Sequence, residues 1–233
     1  MSQNPDIYAP GNSPVPQLLY NTSHAFRLAK EQIIANGREG IDEEIIPGIV
    51  QSYYNNTDKP IVLDKCREWT QYTYLITKYI DSDPKIVVLV RPIDQIMVSF
   101  RDIYARNKRL FDPTQFLTPS SPPLMVAVRG LMNAINSKND CYLYVSYKSL
   151  VENTEWVLDR VYHFFNLPRF NHNLDHIIPE TNEEDHVYNL RGLHSVRPTV
   201  GYRTTSTKLD SITQTHCDRM TDMIFNNKDI TIL

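Results

Sequence analysis

Arg91 and Ser99 stand eight residues apart across what reads as the end of a strand and the start of a helix. Residues 86–90, after Lys85, form a short apolar run rich in β-branched side chains, the pattern of a strand buried on both faces. Pro92 follows, with its φ angle preset for a helix start. A strand end, a cation, a helix N-terminus and a hydroxyl together suit a bound phosphate. The same residues also fit an ordinary strand–helix corner carrying a surface arginine.

A second cluster, Asp64-Lys65-Cys66-Arg67-Glu68-Trp69, follows another apolar stretch, residues 60–63. Lys65 and Arg67 are suited to holding an anion and to stabilising charge that develops on it. Asp64 or Glu68 can orient these cations or act as a base. A solvated turn with internal ion pairs reads from the same residues. His172 and His176, with Asp175 between them, have the spacing of two metal ligands on one helical turn, but lack a third ligand; no metal site is expected.

The elements that must position these groups alternate. Residues 16–36 and 42–54 have helical periodicity, with a kink expected at Pro47-Gly48. A strand at 60–64, a helix at 69–80, the strand at 86–90 and a helix after Pro92 come next. Residues 111–123, rich in Pro, Thr and Ser, read as a loop or lid. A helix at 124–137 and a strand at 141–145 follow. Ser149-Leu150-Val151-Glu152 matches a capping box and predicts a helix start there. Loops run to about residue 208, then a helix and a short apolar tail, 230–233. This alternation predicts an α/β fold with a mostly parallel sheet flanked by helices. Ligands of such sheets bind beyond the carboxyl ends of the strands. The strand ends at Asp64, Arg91 and Tyr147 are therefore expected to converge.

The 233 residues suit a single domain, 1–233, and 41% hydrophobic content is enough for a core. A net charge of −3 provides no broad basic field for nucleic acid. Cys66, Cys141 and Cys217 are odd in number and far apart, which suggests reduced thiols. No run of 18 apolar residues suggests a membrane span, and residues 1–6 do not resemble a signal peptide. A cytoplasmic location is the corresponding expectation.

Taken in order, these segments resemble the sulfotransferases that use 3′-phosphoadenosine 5′-phosphosulfate, most nearly the bacterial and phage branch related to the tyrosylprotein type. Arg91 and Ser99 match the family's pair that binds the nucleotide 3′-phosphate. Residues 64–69 match its Asp-Lys-x-Arg-x-Trp segment. Tyr147 stands where a family tyrosine contacts adenine, although Lys148-Ser149 replaces the usual acidic pair. Gly192-Leu193-His194-Ser195-Val196-Arg197-Pro198 resembles a late element of this branch. The resemblance covers nearly the whole chain. It implies a P-loop-type sheet and 3′-phosphoadenosine 5′-phosphosulfate as co-substrate, with no metal. It implies sulfuryl transfer to a hydroxyl-bearing acceptor, whose pocket would be built from loops near residues 8–20, 107–123 and 178–205. In that frame Lys65 neutralises the sulfuryl or bridging oxygens and Arg67 positions the acceptor or the sulfuryl group. Glu68 and His194 are candidate bases, with Asp64 structural. Arg197 and Arg203 can reach the 3′-phosphate.

One departure bears on activity. The family carries an initial strand and a glycine-rich loop, similar to Gly-x-x-Arg-Ser-Gly-Ser-Thr, that cradles the 5′-phosphosulfate. Here the seven glycines are not clustered, and residues 3–9 look like the sequence that follows that loop and its helix. The expectation is a chain without the first strand, with exposed sheet edges and little or no activity alone. The alternative is a non-catalytic nucleotide-binding or scaffold protein on a degraded sulfotransferase fold, with oligomerisation covering the sheet edge. A nucleotide kinase would need a Gly-Lys-Ser/Thr loop, which this sequence lacks.

Overall fold

The computed structural model describes residues 1–121, 124–181, 185–201 and 208–233. Among them the chain forms a mixed α/β structure. In chain order it runs β1 (Ile7–Tyr8), α1 (Val15–Leu28), α2 (Lys30–Ala35), α3 (Asp42–Tyr53), β2 (Ile61–Val62), α4 (Trp69–Tyr79), β3 (Ile86–Val90) and α5 (Ile93–Arg106). Then follow α6 (Pro113–Leu117), α7 (Met125–Ser137), β4 (Tyr142–Ser146), α8 (Tyr147–Glu152), α9 (Thr154–Phe164), a 3-10 turn (Asp185–Tyr188) and α10 (Ser211–Phe225). No helix among the described residues is long and apolar enough to cross a membrane.

Local chemistry accounts for several boundaries and corrects others. The helix expected over 16–36 is two, because Ala29 leaves helical geometry at φ −91°, ψ 14° and separates α1 from α2. Helix α3 runs through Pro47 as one element, with Asp42, Glu43 and Glu44 in its first turn, where carboxylates favour the helix dipole. The expected capping box at 149–152 does not start a helix. Ser146 is the cap instead, its Oγ accepting from the Ser149 amide at 2.9 Å, and α8 begins at Tyr147. The loop expected at 111–123 contains α6, started by Pro113 and capped by Asp112.

Among the described residues all strand pairing is parallel, as expected, but it is divided between two small sheets. β1 pairs with β2, and β3 pairs with β4 over five residues, Ile86 opposite Tyr142 and Val90 opposite Ser146. The apolar C-terminal tail adds to the outer edge of β4. There the Leu233 amide donates to the Tyr144 carbonyl at 3.0 Å, and the Ser146 amide donates to the Leu233 carbonyl at 2.9 Å.

Strand alternation sorts the side chains of β3 and β4 onto two faces. Val88, Val90, Tyr142 and Tyr144 pack with Ile93 and Met97 of α5, Ile135 of α7, and Cys217 and Ile224 of α10. Val87, Leu143 and Val145 pack on the other face with Val157 and Val161 of α9. A third cluster joins Val15 and Leu19 of α1, Ile46 of α3 and Leu75 of α4. Helices thus cover both faces of the β3–β4 sheet, as parallel strands require.

Candidate functional site

A cavity of about 1760 Å³ lies where the three clusters meet. Its wall includes residues 61–67, following the length of β2 and the turn after it, and residues 85–91, the whole of β3 with its flanks. Lys65, Arg67, Arg91 and His194 all line it. Four of the groups singled out in the sequence therefore share one space, although they come from three separate segments.

Arg91 and Tyr147 meet directly. They follow the paired residues Val90 and Ser146, so the parallel register carries them to neighbouring positions beyond the strand ends. The Arg91 guanidinium lies over the Tyr147 ring, 4.5 Å from its centre. Gln95, one helical turn on, accepts from Arg91 Nε at 3.2 Å through its Oε1. Stacking on one side and this hydrogen bond along one edge orient the planar guanidinium. Pro92 occupies the N-cap of α5, and the Ile93 amide donates to Thr221 Oγ1 of α10 at 2.9 Å, which ties the helix start to the core. Ser99 is half-buried in the second turn of α5 and is not part of the cavity wall.

The cluster at 64–69 divides by role. Asp64 is held by its neighbours: Trp69 Nε1 donates to Oδ1 at 2.7 Å and the Tyr54 hydroxyl donates to Oδ2. This carboxylate braces the turn, in agreement with its structural assignment. Lys65 and Arg67 are exposed on the cavity wall. Burial pushes the Cys66 thiol up, so it is not a thiolate nucleophile at neutral pH. Glu68 is half-buried at the N-cap of α4 and does not line the cavity.

His194 has a partner that sequence reasoning missed. Its Nδ1 lies 2.8 Å from Asp185 Oδ1, and its main-chain amide donates to both Asp185 oxygens at 3.2 Å. Burial alone would push the Asp185 carboxyl up, but the hydrogen bonds from the His194 amide and ring outweigh it and hold the carboxyl below its ordinary range. With Nδ1–H donated to the carboxylate, Nε2 carries the lone pair, the tautomer a proton acceptor needs. Gly192, at φ +79°, makes the turn between the two residues, and Tyr188 packs edge-on against the imidazole at 5.6 Å. The nine-residue separation of Asp185 and His194 is no local motif, so only the folded turn reveals the pair.

The loop that carries His194 is anchored to α5. Asn107 accepts from the Arg191 amide at 2.9 Å and donates to the Arg191 carbonyl at 3.0 Å. Arg197 is exposed and lies outside the cavity wall. Arg203 lies outside the described residues. His172 and His176 are not on a helix. His172 Nε2 instead lies 2.9 Å from the Tyr162 hydroxyl, to which Asn4 also donates at 3.2 Å. These contacts make His172 part of a packed polar network.

The chain matches no protein-family model and no curated protein sequence. The functional reading therefore stands on the residues and their geometry.

Proposed function

We propose that this chain is a sulfotransferase-like protein of the P-loop type that binds a 3′-phosphoadenosine nucleotide at the carboxyl ends of β3 and β4. The observation that carries the reading is the convergence of Lys65, Arg67, Arg91 and His194 on one cavity, with Arg91 stacked on Tyr147. Arg91 holds the 3′-phosphate and Tyr147 contacts the adenine, whereas Ser99, off the cavity wall, is left without a role in this geometry. Lys65 neutralises charge on the phosphosulfate, a task suited to a mobile ammonium, and Arg67 positions the sulfuryl group or the acceptor.

In the transfer itself the acceptor oxygen bonds to sulfur while the bond from sulfur to the bridging phosphate oxygen breaks. The acceptor proton passes to His194 Nε2, and Asp185 stabilises the resulting imidazolium. Asp185 is what favours His194 over Glu68 as the base. The absence of a glycine-rich phosphate loop from the sequence supports a second reading, nucleotide binding without turnover by this chain alone.

Titration calorimetry with adenosine 3′,5′-bisphosphate tests the proposal. Replacing Arg91 by Ala removes at least one charge-assisted hydrogen bond, worth about 1.5–3 kcal/mol, so affinity should fall roughly 10- to 150-fold. Failure of the native chain to bind, or equal affinity in Arg91→Ala, overturns the reading. Transfer of labelled sulfate to any hydroxyl acceptor by the purified chain would separate the catalytic reading from binding alone.

A further inference from the structure

The turn that carries His194 has little packing to hold it. Of residues 185–194, only Leu190 is buried. The segment folds back on itself through its main chain. The Asn189 amide donates to the His186 carbonyl at 3.0 Å, the Leu193 amide to the Leu190 carbonyl at 3.3 Å, and the His194 amide to the Asp185 carboxylate. A surface segment with so few apolar contacts opens locally unless polar contacts fix it. The Asp185–His194 pair exists only while the turn stays closed, because nine residues separate the two.

The end of α5 supplies those contacts. Lys108 is left-handed at φ 53°, the Lys108 amide donates to the Ala105 carbonyl, and the Arg109 amide donates to the Tyr104 carbonyl. This is a Schellman closure, and it fixes Asn107 at the C-cap. Asn107 Nδ2 donates to the Ile103 carbonyl at 2.8 Å and to the Arg191 carbonyl at 3.0 Å, while Oδ1 accepts from the Arg191 amide at 2.9 Å. The side chain thus pairs with the Arg191 main chain as another peptide group would. Aspartate lacks the donors for this, and leucine of the same size lacks both functions. Two residues on, Arg109 Nη1 donates to the Asn189 carbonyl at 3.3 Å, and its guanidinium lies over the Tyr104 ring, 5.8 Å from the centre. Both gripped residues, Asn189 and Arg191, lie between Asp185 and His194.

We propose that Asn107 is a positioning residue for His194. Its amide holds the 185–194 turn in the shape that keeps the Asp185 carboxylate on Nδ1 and leaves Nε2 as the proton acceptor. An ionised carboxylate only accepts, so the ring that faces it at 2.8 Å carries its proton on Nδ1. Asn107 touches neither nucleotide nor acceptor and acts through the turn. The same helix begins two residues after Arg91, and its Gln95 orients that guanidinium. One rigid element of 14 residues, about 21 Å long, therefore sets both the phosphate-binding arginine and the base. The inference rests on the reading of His194 as the base, but the arrangement it describes is measurable without donor or acceptor.

The test uses the full chain labelled with nitrogen-15, at a pH where the His194 ring is neutral. Long-range proton–nitrogen spectra report which ring nitrogen carries the proton. In the native chain that nitrogen should be Nδ1. Asn107→Leu keeps the size of the side chain and removes its hydrogen bonds. In this variant the ring should become a mixture of both tautomers. The Arg191 and His194 amides should exchange with solvent about tenfold faster, as the loss of one or two net hydrogen bonds implies. A role in packing alone would leave tautomer and exchange unchanged in Asn107→Leu, and that result overturns the proposal. Should Asn107→Leu unfold, the native chain decides. Slowed exchange of both amides with the proton on Nδ1 supports the clamp, and a proton on Nε2 or an unprotected Arg191 amide overturns it. Loss of the nucleotide reading by calorimetry would leave these readouts untouched, so the two proposals fail separately.

Discussion

At the residue scale, the same side-chain chemistry serves opposite ends in two histidines. His194 sits beside a carboxylate on the cavity wall, whereas His172 is packed against Tyr162 with no carboxylate partner in that contact. Burial, helped by the charges of the N-terminal amine and Arg169, lowers the His172 pKa from 6.5 to about 4. An unfolded chain takes up a proton at this ring near pH 6.5, and the native protein does so only near 4. The resulting stability is complete above pH 6.5 and is lost as the pH falls toward 4. Melting temperatures across that window should therefore drop less steeply in His172→Gln than in the native protein, and equal slopes would contradict the assignment. Arg91, Lys65 and Arg67 were legible as candidates because cations at the carboxyl ends of apolar strands stand where α/β folds bind anions, and His194 only through the resemblance carried by residues 192–198. Asp185 was not, because its role exists only through the turn that brings it back to His194.

Helices and strands carry a different kind of information. The period of apolar residues in α4, α5, α7 and α10 depends on local spacing and was readable directly. The break at Ala29 and the Ser146 cap were not, since each depends on a single backbone conformation that neighbouring residues do not announce. Close packing of α4 on α7 likewise depends on one residue. A methyl group at Gly130 would meet Thr70 Oγ1 at 2.6 Å and the Gln71 amide nitrogen at 3.1 Å. The threonine hydroxyl can rotate, but the main-chain nitrogen cannot. Gly130→Ala gains about 1 kcal/mol of helix propensity, against an overpacking cost of about 1–3 kcal/mol. A net loss of stability in urea denaturation is expected, and a more stable variant would show that the two helices separate without cost.

For the whole molecule, the C-terminal tail closes the β4 edge and contributes Ile232 to the core on one face of the sheet and Leu233 to the other. Removing residues 230–233 should cost about 3–6 kcal/mol, from the partly buried apolar side chains of Ile230, Ile232 and Leu233 and two main-chain hydrogen bonds. It should also expose a strand edge that promotes association. Urea denaturation and light scattering measure the two effects; unchanged stability would mean that the tail is dispensable. The opposite edge of the same sheet, along β3, opens instead onto the large cavity. The molecule thus has one strand edge covered by its own tail and another bounded by three separate apolar clusters.

Mixed α/β character, parallel pairing and the convergence of strand ends on cationic residues could all be read from the order of residues. Each follows from short-range periodicity and from the connectivity that parallel strands demand. The division of the pairing into two sheets could not, because it depends on which strand lies beside which, a long-range choice that no local pattern encodes. The pairing of His194 with Asp185 and the placement of Glu68 and Arg197 off the cavity wall were likewise decided by the tertiary structure. A side chain's chemistry belongs to its type, but its use depends on neighbours brought to it from distant parts of the chain.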